Sequence, residues 1–118
     1  MSKNGFTAVV ILGNLTRDPV IRYTSKGTCV GDFAVAVNRH VGTGEASREV
    51  VEYYDCTAFG KLAESLPAFL CKGTTVTISG KLSVDEWTDN ETGGKRRRVR
   101  IIVDEIYAVG GTRPEKTQ

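Results

Sequence analysis

The sequence predicts an all-β domain in which one helix interrupts five strands. Three observations carry this. Runs with a two-residue apolar period fill most of the chain, a single stretch repeats apolar residues at helical spacing, and that stretch falls after the third strand and before the fourth.

The first strand is expected over 6–12 (Phe-Thr-Ala-Val-Val-Ile-Leu), stopping at Gly13-Asn14. A turn follows at Thr16-Arg17-Asp18-Pro19, then a short extended piece from Val20 to Tyr23 and a second turn at Ser25-Lys26-Gly27. From Val30 to Val37, Phe33, Val35 and Val37 alternate with Asp32, Ala34 and Ala36, the pattern of a half-buried strand. The stretch from His40 to Ser47 reads as a mobile loop. The third strand, Val50 to Phe59, has two unlike faces: Val50, Glu52, Tyr54, Cys56 and Ala58 form a core face flawed by Glu52, while Val51, Tyr53, Asp55, Thr57 and Phe59 form a polar face carrying two rings.

Leu62, Leu66, Phe69 and Leu70 share one face of the helix, which is bounded by Gly60 and by Gly73 as its expected C-cap. Pro67 lies inside it and removes the hydrogen bond to the Ala63 carbonyl, so a kink or an early stop is expected. Beyond Gly73, Val76, Ile78, Leu82 and Val84 are expected to point inward and Thr75, Thr77, Ser79, Lys81, Ser83, Asp85 and Trp87 outward. A hairpin tip over 89–94 leads to a last strand with Val99, Ile101 and Val103 inward and Arg96, Arg98 and Arg100 outward. Three strands, a helix and two strands is the order of the OB-fold, a five-stranded Greek-key barrel whose open face commonly binds oligonucleotides or oligosaccharides. That domain is expected over 1–109, with a short polar C-terminal tail over 110–118.

Composition removes other classes. The 118 residues fit one core, 40% of them are hydrophobic and 25% charged, and a net charge of +2 is too small to argue for a polyanion partner by itself. No apolar run reaches the roughly 20 residues that span a bilayer, and the first residues have no signal-peptide pattern. Cys29, Cys56 and Cys71 with the lone His40 are too few and too widely spaced for a structural zinc site in one chain, so buried thiols in a reducing compartment are expected. A nucleophilic cysteine would need His40 as its partner. No phosphate-loop, dinucleotide or hydrolase motif occurs, and neither catalysis nor any metal or cofactor is expected.

The distribution of rings and cations is more telling than their totals. Tyr53 and Phe59 share an outward face with Asp55 and Thr57, Trp87 shares one with Lys81, and Arg96, Arg98 and Arg100 line the last strand with Lys95 and Arg97 beside them. Each feature has an ordinary reading: a tyrosine that plugs a neighbouring strand, or a basic run balanced by Asp85, Glu86, Asp89 and Glu91. Together they suit a groove that stacks bases and tracks phosphates, tolerant of sequence because every base has a π-face.

The segments Val10-Ile-Leu-Gly-Asn-Leu-Thr-Arg-Asp-Pro-Val-Ile-Arg-Tyr23, Ala58-Phe-Gly-Lys-Leu-Ala-Glu64, Lys72-Gly-Thr-Thr-Val-Thr-Ile-Ser-Gly80 and Glu86-Trp-Thr-Asp89 resemble, in order, those of the bacterial single-stranded DNA-binding proteins. The resemblance runs from about residue 6 to residue 108. It implies an OB-fold that binds and protects single-stranded DNA without sequence preference in replication, recombination and repair. It also implies a homotetramer, or at least a dimer, and a place in the cytoplasm at the bacterial nucleoid. By position, the stacking rings would be Tyr53, Phe59 and Trp87, and the phosphate partners Arg22, Arg39, Lys61, Lys72, Lys81, Arg96, Arg98 and Arg100.

The chain departs from the family in three places. Tyr53 stands where many relatives have tryptophan, and Val41 falls where another tryptophan is common, with His40 beside it. The end, Arg113-Pro-Glu-Lys-Thr-Gln118, carries no acidic tip of the kind that recruits other proteins in many members. Two other readings stay open: an OB-fold assembly module in replication restart or a phage complex that binds nucleic acid weakly, and RNA in place of DNA.

Overall fold

The computed structural model describes residues 5–109; the tail expected over 110–118 lies outside the described residues. The chain runs through β1 (Val9–Leu15), β2 (Val20–Tyr23), β3 (Cys29–Val41), β4 (Arg48–Phe59), α1 (Gly60–Phe69), β5 (Thr75–Thr88) and β6 (Lys95–Ala108). The strands lie in the order β1-β5-β6-β4-β3-β2, and β1 also pairs with β3. That last pairing closes β1, β5, β6, β4 and β3 into a barrel. All the pairings are antiparallel except β4 with β6, at Cys56↔Ile101 and Thr57↔Ile102. This is the expected OB-fold. The short piece at Val20–Tyr23 is a sixth strand at the edge of β3.

Several boundaries move for identifiable reasons. β1 does not stop at Gly13-Asn14 but runs to Leu15. Gly13 lies so close to Ala36 and Val35 of β3 that a Cβ there would strike the Ala36 carbonyl, so this glycine permits barrel closure. The Asn14 amide donates to the Gly73 carbonyl and to Thr75 Oγ1, both at 3.2 Å, and does so from within a strand and not from a turn. β3 extends through His40 to Val41, so the connection expected from His40 shrinks to residues 42–47 with one 3-10 turn at Gly44–Ala46.

The helix ends at Phe69, two residues past Pro67, and the Leu70 N–H closes it on the Leu66 carbonyl at 2.9 Å. Gly73 is therefore not its cap. With φ of 91° it serves the turn into β5, and its N–H donates to the Leu15 carbonyl at 2.9 Å. Ala63, Leu66 and Leu70 of this segment are buried with Phe33, Val35, Cys56, Ala58, Val76, Ile78 and Ile101 in one core cluster.

One expectation fails more instructively. Leu82, Val84 and Val99 do not point into the core: they are 40%, 46% and 48% exposed. β1 accompanies β5 only as far as Gly80, and β4 meets β6 only at Ile101 and Ile102. Beyond those points the β5–β6 hairpin runs on as a two-stranded arm, with no second layer beneath it among the described residues. The alternation persists while the core it would face has ended. The flaw at Glu52 is resolved locally, because Tyr54 Oη and Arg39 Nη2 donate to its two oxygens at 2.7 and 2.9 Å.

Candidate nucleic-acid interface

Residues directly opposite each other on paired strands point to the same side of a sheet, so the register maps the faces. The outer face built from β2, β3, β4, β6 and β5 carries the pairs Arg22↔Val30, Val30↔Phe59, Asp32↔Thr57, Ala34↔Asp55, Ala36↔Tyr53, Ser83↔Arg100, Asp85↔Arg98 and Trp87↔Arg96. Tyr53 is 69% exposed, Phe59 44% and Trp87 51%. None of the three rings is tucked beneath the sheet. His40, on the same side of β3 and opposite Glu49, is exposed, but it stands four residues along the strand from Ala36, the partner of Tyr53.

A polar chain crosses this face from strand to strand. Arg22 Nε donates to Asp32 Oδ2 at 2.7 Å, Thr57 Oγ1 donates to Asp32 Oδ1 at 3.0 Å, and Arg100 Nη1 donates to Thr57 Oγ1 at 3.1 Å. Asp85 Oδ2 lies 3.4 Å from Arg100 Nε, a charge contact without hydrogen-bond alignment, since that buried nitrogen has no hydrogen-bond partner. Thr57 is fully buried at the centre of the chain. Burial alone would raise the Asp32 carboxyl pKa. The hydrogen bonds from Arg22 and Thr57, with the charges of Arg22 and Arg100, outweigh it and hold the group below its ordinary range.

The arm is organised by its tip. Asp89 Oδ1 accepts the N–H groups of Glu91 and Thr92 at 2.8 and 3.3 Å, and its Oδ2 takes Arg96 through Nε at 3.1 Å and Nη2 at 2.9 Å. The backbone hydrogen bonds come first among the causes that hold the Asp89 carboxyl below its ordinary range. Arg98 Nη2 lies 3.5 Å from Asp55 on β4, and Arg97 Nε lies 3.6 Å from Glu86. A shallow cleft of about 180 Å³ beside Trp87 is lined by Glu86, Thr88 and Lys95. A larger one, of about 340 Å³, opens where β4 and the arm diverge, between Tyr53 and Tyr54 on one side and Leu82 and Val99 on the other.

The eleven expected site residues divide by position. The face gathers Tyr53, Phe59, Trp87, Arg22, Arg96, Arg98 and Arg100, and Lys81 sits exposed at its border opposite Ile102. Arg39 projects to the other side of β3, held to Glu52, and so stands apart from the rings. Lys61 lies on α1 and Lys72 in the turn before β5, where its N–H donates to Asp18 Oδ1 at 2.8 Å; neither belongs to a strand of this face, and both are exposed.

The acids Asp32, Asp55 and Asp85 and the buried Thr57 were not among the expected site residues. Their only signal in the sequence is their place on the polar side of strands that carry rings. The expectation that acids balance the basic run holds for Asp85, Glu86 and Asp89, which pair with Arg100, Arg97 and Arg96.

Cys29 and Cys56 are buried as expected, but Cys71 is only half-buried. Burial, and then the charge of Asp55, pushes the Cys56 thiol up to about 12, so it is a neutral thiol and not a nucleophile at physiological pH. Among the described residues no helix is long and apolar enough to cross a membrane.

Residues 6–109 match the profile of the single-strand binding protein family. A single-stranded DNA-binding protein of Borreliella burgdorferi is 40% identical over 99 residues, covering 84% of this chain and 66% of that protein. One of Deinococcus radiodurans is 40% identical over 102 residues, covering 86% of this chain and 33% of that protein. The chain thus spans just under two thirds of the first relative's length and one third of the second's.

Proposed function

The chain belongs to the single-strand binding protein family, and we propose that it binds single-stranded DNA without regard to base sequence. Bases stack on Tyr53, Phe59 and Trp87, and phosphates are held by Arg22, Lys81, Arg96, Arg98 and Arg100; Lys61 and Lys72 extend the path around the barrel, and Arg39, on the other side of β3, meets only a strand that leaves this face. The observation that carries this reading is three exposed rings on one face with guanidinium groups between them. Rings left in water cost about 25 cal/mol per Å², a cost that a stacked base removes. Each stacked base contributes about 1–3 kcal/mol, and the phosphate contacts make binding weaken as salt rises. Nothing in the reading calls for a chemical step.

The role that follows is protection of exposed strands in replication, recombination and repair, at the bacterial nucleoid. Self-association belongs to the same reading. Val10 and Leu12 on β1 and Tyr107 on β6 are exposed and share one outer face through Ser79 and Thr77 of β5. Among the described residues, the edge of Val9–Leu12 away from β5 is unpaired. An apolar face beside an open edge supports a dimer or tetramer of this chain.

Titration with a mixed-sequence oligonucleotide of a few tens of nucleotides tests the proposal, with Trp87 fluorescence and light scattering as readouts. Saturable quenching, a negative salt slope and a mass of two or four chains are expected. No quenching and no salt slope would refute DNA binding on this face.

A further inference from the structure

Six arginines each face one carboxylate at 2.7–3.6 Å: Arg22–Asp32, Arg39–Glu52, Arg96–Asp89, Arg97–Glu86, Arg98–Asp55 and Arg100–Asp85. These acids are not equivalent. Asp32 also accepts from Thr57, Glu52 from Tyr54, and Asp89 from two backbone N–H groups, so each helps hold the fold. Glu86 stands opposite Arg97, on the side of the arm away from Trp87. Asp55 and Asp85 differ from all of these. Among the described residues each makes one ion pair, with a guanidinium at 3.5 and 3.4 Å, and accepts no hydrogen bond.

Their positions make this more than a loose surface pairing. Asp55 follows Tyr53 on the same side of β4, and Asp85 precedes Trp87 on the same side of β5. A strand stacked on Tyr53 and Trp87 carries its phosphates past both carboxylates to reach Arg98 and Arg100. Like charges there repel, and neither acid offers the fold a compensating bond.

Resting on the proposed DNA-binding face, we propose that Asp55 and Asp85 are built-in counterions of Arg98 and Arg100, displaced by the phosphates of the bound strand. In the empty protein they keep the two guanidinium groups pointed across the face and its charge near balance. In the complex they weaken phosphate binding and so hasten release. Two unit charges about 4 Å apart in water interact strongly enough to change an equilibrium about fivefold, and salt screens the effect.

The test compares the full chain with Asp55→Asn, Asp85→Asn and the double variant, titrated with a thymidine oligonucleotide at low and at high salt. Glu64→Gln, which removes an exposed acid from α1, controls for net charge. Each single variant should bind about fivefold tighter at low salt and the double variant tighter still, with slower dissociation. The gain should shrink as screening increases. Asp55→Ser and Asp85→Ser should repeat the result. Unchanged or weaker binding, or an equal gain from Glu64→Gln, overturns the counterion role while wild-type binding leaves the DNA reading standing. No binding by the wild type overturns the DNA reading, and this inference with it.

Discussion

Trp87 and Arg96 stand directly opposite each other on β5 and β6, which places an indole and a guanidinium side by side on the same face of the arm. Asp89 holds that guanidinium through two nitrogens, so the cation is presented next to the ring in a fixed orientation. In the proposed complex, a base stacked on the indole would have its phosphate within reach of this prepositioned fork.

Trp87→Ala should weaken oligonucleotide binding by about 1–3 kcal/mol, similarly for pyrimidine and mixed strands, while Trp87→Phe should retain most of the affinity. Arg96→Ala combined with Arg98→Ala should flatten the plot of log affinity against log salt by roughly 0.7 for each phosphate no longer neutralised. Equilibrium titrations at several salt concentrations measure both.

Thr57 is the buried link between Asp32 and Arg100. Thr57→Val keeps the shape and removes the hydroxyl, so both neighbours lose a partner. The expected cost is about 1–3 kcal/mol of stability, read from urea unfolding.

Gly13→Ala should cost about 1–3 kcal/mol, because the new methyl group would press on the Ala36 carbonyl and the Val35 side chain where β1 closes on β3. Urea unfolding would show it as a lowered midpoint with an unchanged slope. A midpoint equal to the wild type's would show that β1 can back away from β3 freely.

Asp32, Glu52 and Asp89 all have carboxyl pKa values lowered by folding. The unfolded chain binds protons to these groups more readily than the folded one. Their stabilisation is therefore complete above the ordinary carboxylate range near about 4, and is lost as the pH falls through the lowered values. The melting temperature should stay level from neutrality to about pH 5 and fall below about pH 4, and Asp89→Asn should make that acid limb shallower.

Cys56 titrates near about 12 when folded, whereas an unfolded thiol ionises near about 8.5. Above the latter value only the unfolded state releases this proton, so stability should decline as the solution becomes alkaline. Under native conditions a thiol reagent should modify half-buried Cys71 first, with Cys29 and Cys56 reacting only on unfolding. Mass spectrometry of the time course reads the order.

Much of this was legible in the chain, because period-two alternation and one helical repeat are local properties that backbone geometry enforces residue by residue. The strand order, the helix between the third and fourth long strands, and the outward rings Tyr53, Phe59 and Trp87 follow from that local code. Alternation says which residues share a side, but not whether anything lies beneath that side. Leu82, Val84 and Val99 carry the same pattern as Ile78 and Ile101 and differ only in standing past the ends of their neighbouring strands. The pairing of each arginine with a particular acid is likewise a matter of register between distant segments, as Arg100 with Thr57 and Arg98 with Asp55 show. Local sequence thus determined the elements and their faces, and tertiary structure decided where the core ends and which charges meet, because both depend on how far one strand runs beside another.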